Sequence, residues 1–581
     1  MCGIIGYIGN RDANKIVLDG LKRLEYRGYD SVGIGIINNK NLIIKKDVGK
    51  IDEVHKKLNF LEPKGNIEIG HTRWASHGKV SKENAHPHTD CNERIAIVHN
   101  GIIENYLELK EMLIKKGHKF KSETDSEIIA HLIEEFNKEL DFESACKKAF
   151  SMLKGSFAIL AIKSDEEKIV GIRKDSPLVI GINEDECFAS SDIYALLPFT
   201  KNFVFLRNFD FIVLGKGKFK VENLIERKVE RPIERIDIEI EKIDKKDYHH
   251  YMIKEILEQA EVFEKAISQD ERNIEKFINE IKNSKKIFLI GAGTSYHACL
   301  AASYLFAKAG ILAKTIVASE FKNYLNLVDE NTLIIAVSQS GETADVLDAV
   351  RKAKEKNAKI YSITNVYGSS LTRESDFYIL MNAGFEIGVA ATKTYIAQLA
   401  IFLLLHSKLI NKNINKEEIK AKIYDLLSRS RREHIEKVAE ILKNKEHIFL
   451  IGKGIDYVTA LEAALKIKEI SYIHAEAFAG GELKHGPLAL IEKGTPCIVF
   501  VDEEKEIISN AEEVKARGGL IIGISPENHK VFDIWIKIPE DREASLIYKI
   551  IPMQILAYRL AILKGFDPDK PRNLAKCVTV I

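Results

Sequence analysis

Cysteine stands second in this chain, in the run Met1-Cys2-Gly3-Ile4-Ile5-Gly6. Removal of the initiator methionine leaves Cys2 with a thiol and an α-amine on one residue. Such an amine titrates near pH ~8, so it can take the thiol proton in neutral water and act as the nucleophile's own base. The same run also fits an ordinary translation start followed by a buried strand. Further along, Gly70-His-Thr-Arg-Trp-Ala-Ser-His-Gly78 crowds two histidines, an arginine and a tryptophan together. The Arg73 guanidinium could grip a free α-carboxylate with two parallel bonds. His99-Asn100-Gly101 ends an apolar strand pattern, Ile95–Val98. An amide beside a glycine N–H suits an oxyanion, although Asn-Gly is also a common turn pair. Asp125, in Thr124-Asp125-Ser126, could cap the following helix or bind an ammonium group. His71, His77, His86, His88 and His99 lie close together in the chain, but without HExxH or paired-cysteine spacing, so no metal is expected there.

The second half offers different chemistry. Gly291-Ala-Gly-Thr-Ser295 sits where a strand pattern meets a helix pattern, and unpaired N–H groups at such a junction suit a phosphate. The lysine of a Walker loop is missing. Ser338-Gln-Ser-Gly-Glu-Thr343 also joins strand to helix, and its three hydroxyls and one amide exceed what a cap requires. Glu462, Lys466 and Glu469 fall on one helical face. Such stripes are ordinarily solvated, but this one runs into a loop dense in glycine and titratable groups that ends at His485-Gly-Pro. The tail, Asp569-Lys-Pro-Arg-Asn-Leu-Ala-Lys576, ends on a lysine that could be a solvated terminus or an amine meant for a carbonyl.

These residues need elements to hold them. At 581 residues the chain requires several domains. Its net charge of +1 and lack of a basic, aromatic-studded stripe argue against nucleic acid as partner. The apolar stretches Ile396–Leu405 and Thr495–Val501 are too short to span a bilayer, so no membrane is expected. No signal peptide precedes the first strand, and seven scattered cysteines without paired spacing suit a reducing cytoplasm. Up to about residue 235, short strand patterns with few helices predict stacked sheets. The charged stretch Ile233–Asp247 reads as an edge strand running into a linker. Beyond Tyr248, strands and helices alternate, and Ile287-Phe-Leu-Ile-Gly-Ala-Gly293 recurs 161 residues later as Ile448-Phe-Leu-Ile-Gly-Lys-Gly454. The second half is therefore two copies of one doubly wound α/β unit. Its second copy carries the acidic run Asp502-Glu-Glu504 where the first has Ser-Gln-Ser, which predicts a lost anion site.

Cys2-Gly3-Ile4, Tyr26-Arg27-Gly28-Tyr29-Asp30-Ser31, Gly70–Gly78, Asn100-Gly101 and Thr124-Asp125 together resemble the class II glutamine amidotransferase domain. That resemblance implies an N-terminal-nucleophile αββα sandwich. It makes Cys2 the nucleophile, Asn100 and Gly101 the oxyanion hole, Arg73 the grip on the glutamine carboxylate and Asp125 the grip on its ammonium. Trp74 and His77 would flank the site, with Trp74 gating ammonia. Ser338–Thr343, Glu386-Ile-Gly-Val-Ala-Ala-Thr-Lys393, Glu469–Gly486 and Asn573–Lys576 resemble paired sugar isomerase (SIS) domains. End to end, the chain is similar to the isomerising glutamine–fructose-6-phosphate aminotransferase family. The resemblance implies residues 1–238 as glutaminase, 239–250 as linker, 251–425 and 426–566 as SIS domains, and 567–581 as a tail closing the sugar site.

It further implies that Ser295, Ser338, Gln339, Ser340, Thr343 and Val389 line the phosphosugar site. Lys576 would form a Schiff base, Glu469 would shuttle a proton with Lys466 assisting, and His485 would open the sugar ring across a homodimer. Glutamine and fructose 6-phosphate would give glutamate and glucosamine 6-phosphate, the first step toward UDP-N-acetylglucosamine, with no cofactor. Ammonia must avoid protonation in transit, so a dry internal path is expected. Ala391 departs from the family, which often has serine there. Other class II partners are set aside because neither an acidic pyrophosphate loop nor an SGGxD loop is present. A non-catalytic phosphosugar sensor and a reverse-running deaminase remain as alternatives.

Overall fold

The computed structural model describes residues 2–75, 77–226, 229–237, 245–501, 506–541 and 543–579. The chain divides into two units, residues 1–244 with 575–581, and residues 245–574.

The first unit is built on two sheets. One has eight strands in the order Glu234–Arg235, Asn202–Phe205, Val179–Asn183, Glu186–Ser190, Gly3–Ile8, Ile67–Arg73, Ser31–Asn38 and Asn41–Val48. The other has six: Lys218–Asn223, Asp210–Gly215, Ile169–Lys174, Gly155–Lys163, Ile95–Ile103 and His88–Thr89. Their facing sides share one core, in which Ile4, Ile8 and Ile69 meet Val98, Leu160 and Ile169. Each fully buried Ile or Leu there contributes about 1.5–3 kcal/mol of transfer free energy. Helix Ala13–Leu24 covers the outer face of the larger sheet, and helices Tyr106–Lys115, Glu127–Asn137 and Phe142–Ser151 cover that of the smaller. The result is the expected four-layer αββα sandwich. Strand Gly3–Ile8 lies centrally, paired antiparallel on both sides, so Cys2 leaves a rigid element. The expected edge strand appears as Glu234–Arg235; residues 238–244 of that stretch lie outside the described residues.

One expectation fails in an informative way. Asn100-Gly101 does not end its strand. Pairing continues through Ile103, with Gly101 opposite Phe157. Gly101 has φ +121°, and a β-carbon there would sit 1.9 Å from the Ser156 carbonyl oxygen. Only glycine permits this distortion inside a continuous ladder.

The second unit holds two five-stranded parallel sheets of identical order. In the first, Lys286–Gly291 lies between Lys314–Val317 and Thr332–Ser338, followed by Lys359–Thr364 and Phe377–Leu380. In the second, His447–Gly452 lies between His474–Ala479 and Pro496–Phe500, followed by Leu520–Ser525 and Ile534–Lys537. One apolar cluster runs through both copies, joining Leu289 and Ile335 to Leu450 and Ile498 by way of helices Lys393–Leu409, Ile455–Ser471 and Ser545–Leu563. The copies therefore share a core. Helix Ser545–Leu563, of mean hydropathy 1.5, is long and apolar enough to cross a bilayer, which corrects the reading of the longest apolar stretches. Its Lys549, Pro552 and Gln554 disguised it. It is 83% buried, so this chain already covers its apolar surface.

Candidate active sites

In the first unit, a cavity is lined by Cys2, Arg73, Trp74, His77, Gly101 and Asp125, six of the residues singled out from the sequence, together with His86, His99, Thr124 and Ser126. The Cys2 thiol lies against the backbone of Trp74, accepting from its N–H at 3.3 Å and donating to its carbonyl at 3.4 Å. Burial pushes the thiol's pKa up, so the sulfur needs a base to become a nucleophile. Asn100 Nδ2 donates to the Cys2 carbonyl at 3.0 Å, and its Oδ1 lies 3.1 Å from His71 Nε2. Burial drives the His71 pKa down to about 3, and those of His86, His88 and His99 also fall. Near pH 7 this group is neutral, forming a stacked imidazole core behind the site in which His71 and His86 lie 4.0 Å apart.

Arg73 closes on the loop that follows it, donating to the carbonyls of His77 (2.5 Å), Gly78 (3.2 Å) and Lys79 (3.2 Å). It therefore shapes the cavity wall as well as lending charge to it. Trp74 stands edge-on to Tyr29 with ring centroids 5.4 Å apart, and His77 packs on Tyr106. Ser76, inside this motif, lies outside the described residues. Asp125 does not cap the helix after it. Its Oδ2 accepts the Ile103 N–H at 2.7 Å, tying the helix start to the distorted strand. Sequence reasoning gave no role to Arg27, whose Nε donates to the Cys2 carbonyl at 3.3 Å, or to Asp30, which accepts the Ala75 N–H at 2.8 Å. Both lie in the Tyr26–Ser31 motif, so the motif carried the signal without the role.

In the second unit, Gly293 (φ +53°) and Gly454 (φ +57°) turn each copy into its helix in the same left-handed conformation. In the first copy, the Ser338 hydroxyl accepts the Gly341 N–H at 3.1 Å and lies 3.0 Å from the Thr343 hydroxyl. Ser340 Oγ accepts the Glu342 N–H at 3.1 Å. Thr343 occupies the cap position of helix Ala344–Lys354 but makes no side-chain cap bond. Gln339 lies in the same loop, its carbonyl accepting the Asn365 N–H at 3.1 Å. Ser295 is buried and accepts from Gln398 at 3.1 Å.

The charged stripe proves to be interior. Lys466 and Glu462 are both 0% exposed. Lys466 Nζ lies 2.6 Å from Glu469, 3.4 Å from Glu462 and 3.0 Å from the Thr294 hydroxyl. Burial alone would lower the lysine's pKa, but Glu462 and Glu469 outweigh it and raise it above its ordinary value. Glu462 also accepts from Thr294 at 3.0 Å and meets His297 Nδ1 at 2.7 Å. The helix of the second copy thus delivers charge to the helix start of the first. Val389 is buried and donates its N–H to the Asp569 carbonyl at 3.2 Å. Glu386 caps helix Lys393–Leu409 through the Thr392 and Thr394 N–H groups at 2.9 and 3.0 Å.

Comparison with known proteins decides what these two constellations belong to. The glutamine amidotransferase domain family matches residues 71–198, and the SIS domain family matches twice, at 280–408 and 441–564. The glutamine–fructose-6-phosphate aminotransferase [isomerizing] of Thermococcus kodakarensis is 47% identical across the whole of both chains. That of Pyrococcus horikoshii is 46% identical, again across both. The chain belongs to this aminotransferase family. A solved C-terminal domain of glucosamine-fructose-6-phosphate aminotransferase from Francisella tularensis matches with a TM-score of 0.51 at 36% identity, covering 56% of this chain and 99% of that one.

Two further residues named from the sequence are not among those lining the Cys2 cavity. His485 is exposed at the end of the short helical turn Gly480–His485. Lys576 falls in the segment Ala575–Ile581, which groups with the first unit, whereas Asp569 belongs to the second and caps helix Tyr251–Leu257. The acidic run at 502–504 lies outside the described residues.

Proposed function

We propose that the chain takes ammonia from glutamine at Cys2 and places it on the open-chain form of fructose 6-phosphate, giving glutamate and glucosamine 6-phosphate. The observation that carries this reading is the cavity that gathers Cys2, Arg73, Gly101 and Asp125 in a chain that also holds two SIS domains. With Met1 removed, the α-amine of Cys2 takes the thiol proton and the sulfur adds to the glutamine side-chain amide. The oxyanion falls to Asn100 Nδ2 and the Gly101 N–H, while Arg73 and Asp125 hold the two ends of the amino acid. Ammonia leaves with a proton, and water then cleaves the thioester to glutamate. Trp74 and His77 border this step.

In the second unit, Ser295, Ser338, Gln339, Ser340 and Thr343 supply neutral donors to the sugar phosphate at helix starts, with Val389 behind them. Glu469 moves a proton between C1 and C2, and Lys466 holds it in place. Lys576 supplies the amine for the ketose carbonyl, and His485 opens the ring, with a homodimer as the working form. We take 1–238, 251–425 and 426–566 as the domains, 239–250 as linker and 567–581 as closing tail. Seven free cysteines suit a reducing, cytoplasmic setting.

Cys2→Ala is the direct test. Glutamine-driven glucosamine 6-phosphate formation should fall by at least about a thousandfold, the scale of losing a nucleophile. Isomerisation of fructose 6-phosphate to glucose 6-phosphate by the same preparation should persist. Undiminished amino-sugar output from glutamine would end this reading.

A further inference from the structure

Away from the Cys2 cavity, the first unit brings together four metal-type ligands from three separate segments. Cys91 lies in the turn between strands His88–Thr89 and Ile95–Ile103, His118 follows helix Tyr106–Lys115, and His131 and Glu134 sit one turn apart on helix Glu127–Asn137. Their ligand atoms all lie within 4.8 Å of one another. Cys91 Sγ is 3.8 Å from His118 Nδ1 and 3.6 Å from His131 Nδ1. The two Nδ1 atoms are 3.4 Å apart, and Glu134 Oε2 is 2.9 and 3.3 Å from them. A tetrahedral ion with bonds of ~2.0–2.3 Å separates its ligands by about 3.3–3.7 Å. Three of the five separations fall in that range, the Cys91–His118 distance of 3.8 Å lies just above it, and the His118–Glu134 distance of 2.9 Å would have to open by a few tenths of an ångström.

The protons support the same conclusion. The outer nitrogen of each ring faces a carboxylate: His118 Nε2 lies 3.1 Å from Glu135, and His131 Nε2 lies 3.6 Å from Glu127. A neutral imidazole with its proton on Nε2 satisfies the pairing at His118 and leaves a lone pair on Nδ1; His131 Nε2 is within ion-pair distance of Glu127 but makes no hydrogen bond. In that tautomer two ring lone pairs, a thiol sulfur and a carboxylate oxygen converge on one point, an arrangement that a cation stabilises. Outer carboxylates that fix the tautomer of a ligating histidine are the usual second layer of a zinc site. The Lys119 N–H also points at Cys91 Sγ, at 3.5 Å, a donor that a zinc-bound sulfur can use. His118 and His131 are 3% and 1% exposed, so the centre is dry on two sides.

We propose that Cys91, His118, His131 and Glu134 bind one structural Zn2+. Sulfur, two imidazoles and one carboxylate fill a tetrahedron and leave no open position, which makes the site structural. It clips the turn at Cys91 to helix Glu127–Asn137. Asp125 and Ser126 immediately precede that helix, and the next strand carries Asn100 and Gly101, so the ion steadies both sides of the Cys2 cavity.

The test uses the full-length chain, purified without metal-affinity resin and exchanged into buffer with one equivalent of zinc. Elemental analysis should find close to one zinc per chain. A strong chelator should remove it and lower the melting temperature, and zinc should restore it. Cobalt should replace zinc and give the intense visible bands of a tetrahedral site, with a thiolate charge-transfer band in the near ultraviolet that Cys91→Ser abolishes. If that variant fails to fold, X-ray absorption on the wild-type zinc form decides, since it must show one sulfur at about 2.3 Å and light atoms near 2.0 Å. A chain that takes up no zinc, or whose cobalt form keeps its sulfur band in Cys91→Ser, or whose zinc has no sulfur neighbour, overturns the proposal. The cluster would then be a hydrogen-bonded network of protonated histidines and carboxylates.

Discussion

The two copies of the parallel-sheet repeat share strand order and the same left-handed glycine before their first helix, yet they treat that helix start in opposite ways. Ser295 in the first copy and Asp456 in the second are separated by the repeat offset of 161 residues. Ser295 makes a neutral hydrogen bond with Gln398. Asp456 makes a buried ion pair with Lys549 at 2.6 Å. A helix start attracts anions, and the second copy meets that demand with its own carboxylate, whereas the first fills the position with neutral groups. An internal carboxylate at the helix start leaves less attraction there for an external anion. The second copy then contributes through the far end of the same helix, where Glu462, Lys466 and Glu469 replace Ala301, Leu305 and Lys308 of the first.

The largest effect should come from Lys466→Met, which removes the charge that the second copy lends to the first. Glu462 and Glu469 would lose their shared counter-ion, and breaking one partner of a buried pair costs about 3–5 kcal/mol of stability. Fructose 6-phosphate turnover should fall by about three orders of magnitude, while glutamine hydrolysis measured alone should change little. Equal losses in both assays would show that the lysine serves only the fold.

Exchanging the helix starts tests the comparison directly. Ser295→Asp copies the second unit's solution into the first. A carboxylate about 4 Å from a phosphate in a partly desolvated site opposes it by about 4 kcal/mol, so KM for fructose 6-phosphate should rise by about two to three orders of magnitude. Asp456→Asn should do the reverse. It strands Lys549, which is 0% exposed, and lowers stability by about 3–5 kcal/mol, yet leaves that KM unchanged. A raised KM in Asp456→Asn would mean that the second copy still takes part in phosphate binding.

This contrast was only half legible in the sequence. The offset of 161 and the apolar strands disclosed the repeat, because buried parallel strands need continuous apolar runs. The expectation of a lost second anion site rested on Gly452–Asp456, which lacks the Thr-Ser pair of the first copy, and on Asp502–Glu504, which lie outside the described residues. The Asp456–Lys549 ion pair was not legible, because its two partners are distant in the chain. The Glu462–Lys466–Glu469 stripe had the spacing of a solvated face, and only packing against Thr294 and His297 shows it to be interior. Around Cys2 the site residues were legible, but the Asn100-Gly101 pair looked like a turn. Its place inside a strand depends on the close approach of Ser156 from the neighbouring strand, which no local pattern encodes. The Cys91 quartet was invisible for the same reason, its ligands being 27, 13 and 3 residues apart.

The smallest expected effect concerns how the first copy binds its anion. Ser340→Ala removes one hydroxyl from a loop whose backbone is also held by Ser338, through the Gly341 N–H, and by the Gln339 carbonyl, through the Asn365 N–H. The loop should therefore keep its shape although the Ser340 bond from the Glu342 N–H is also removed, and the main loss should be a hydrogen bond to a charged ligand. Such a bond is worth about 1.5–3 kcal/mol, so KM for fructose 6-phosphate should rise by about ten- to a hundredfold with kcat nearly unchanged. A matching fall in kcat would mean that this hydroxyl acts in the transition state rather than in holding the phosphate. The division of labour between a binding copy and a chemical copy would then need to be redrawn at this loop.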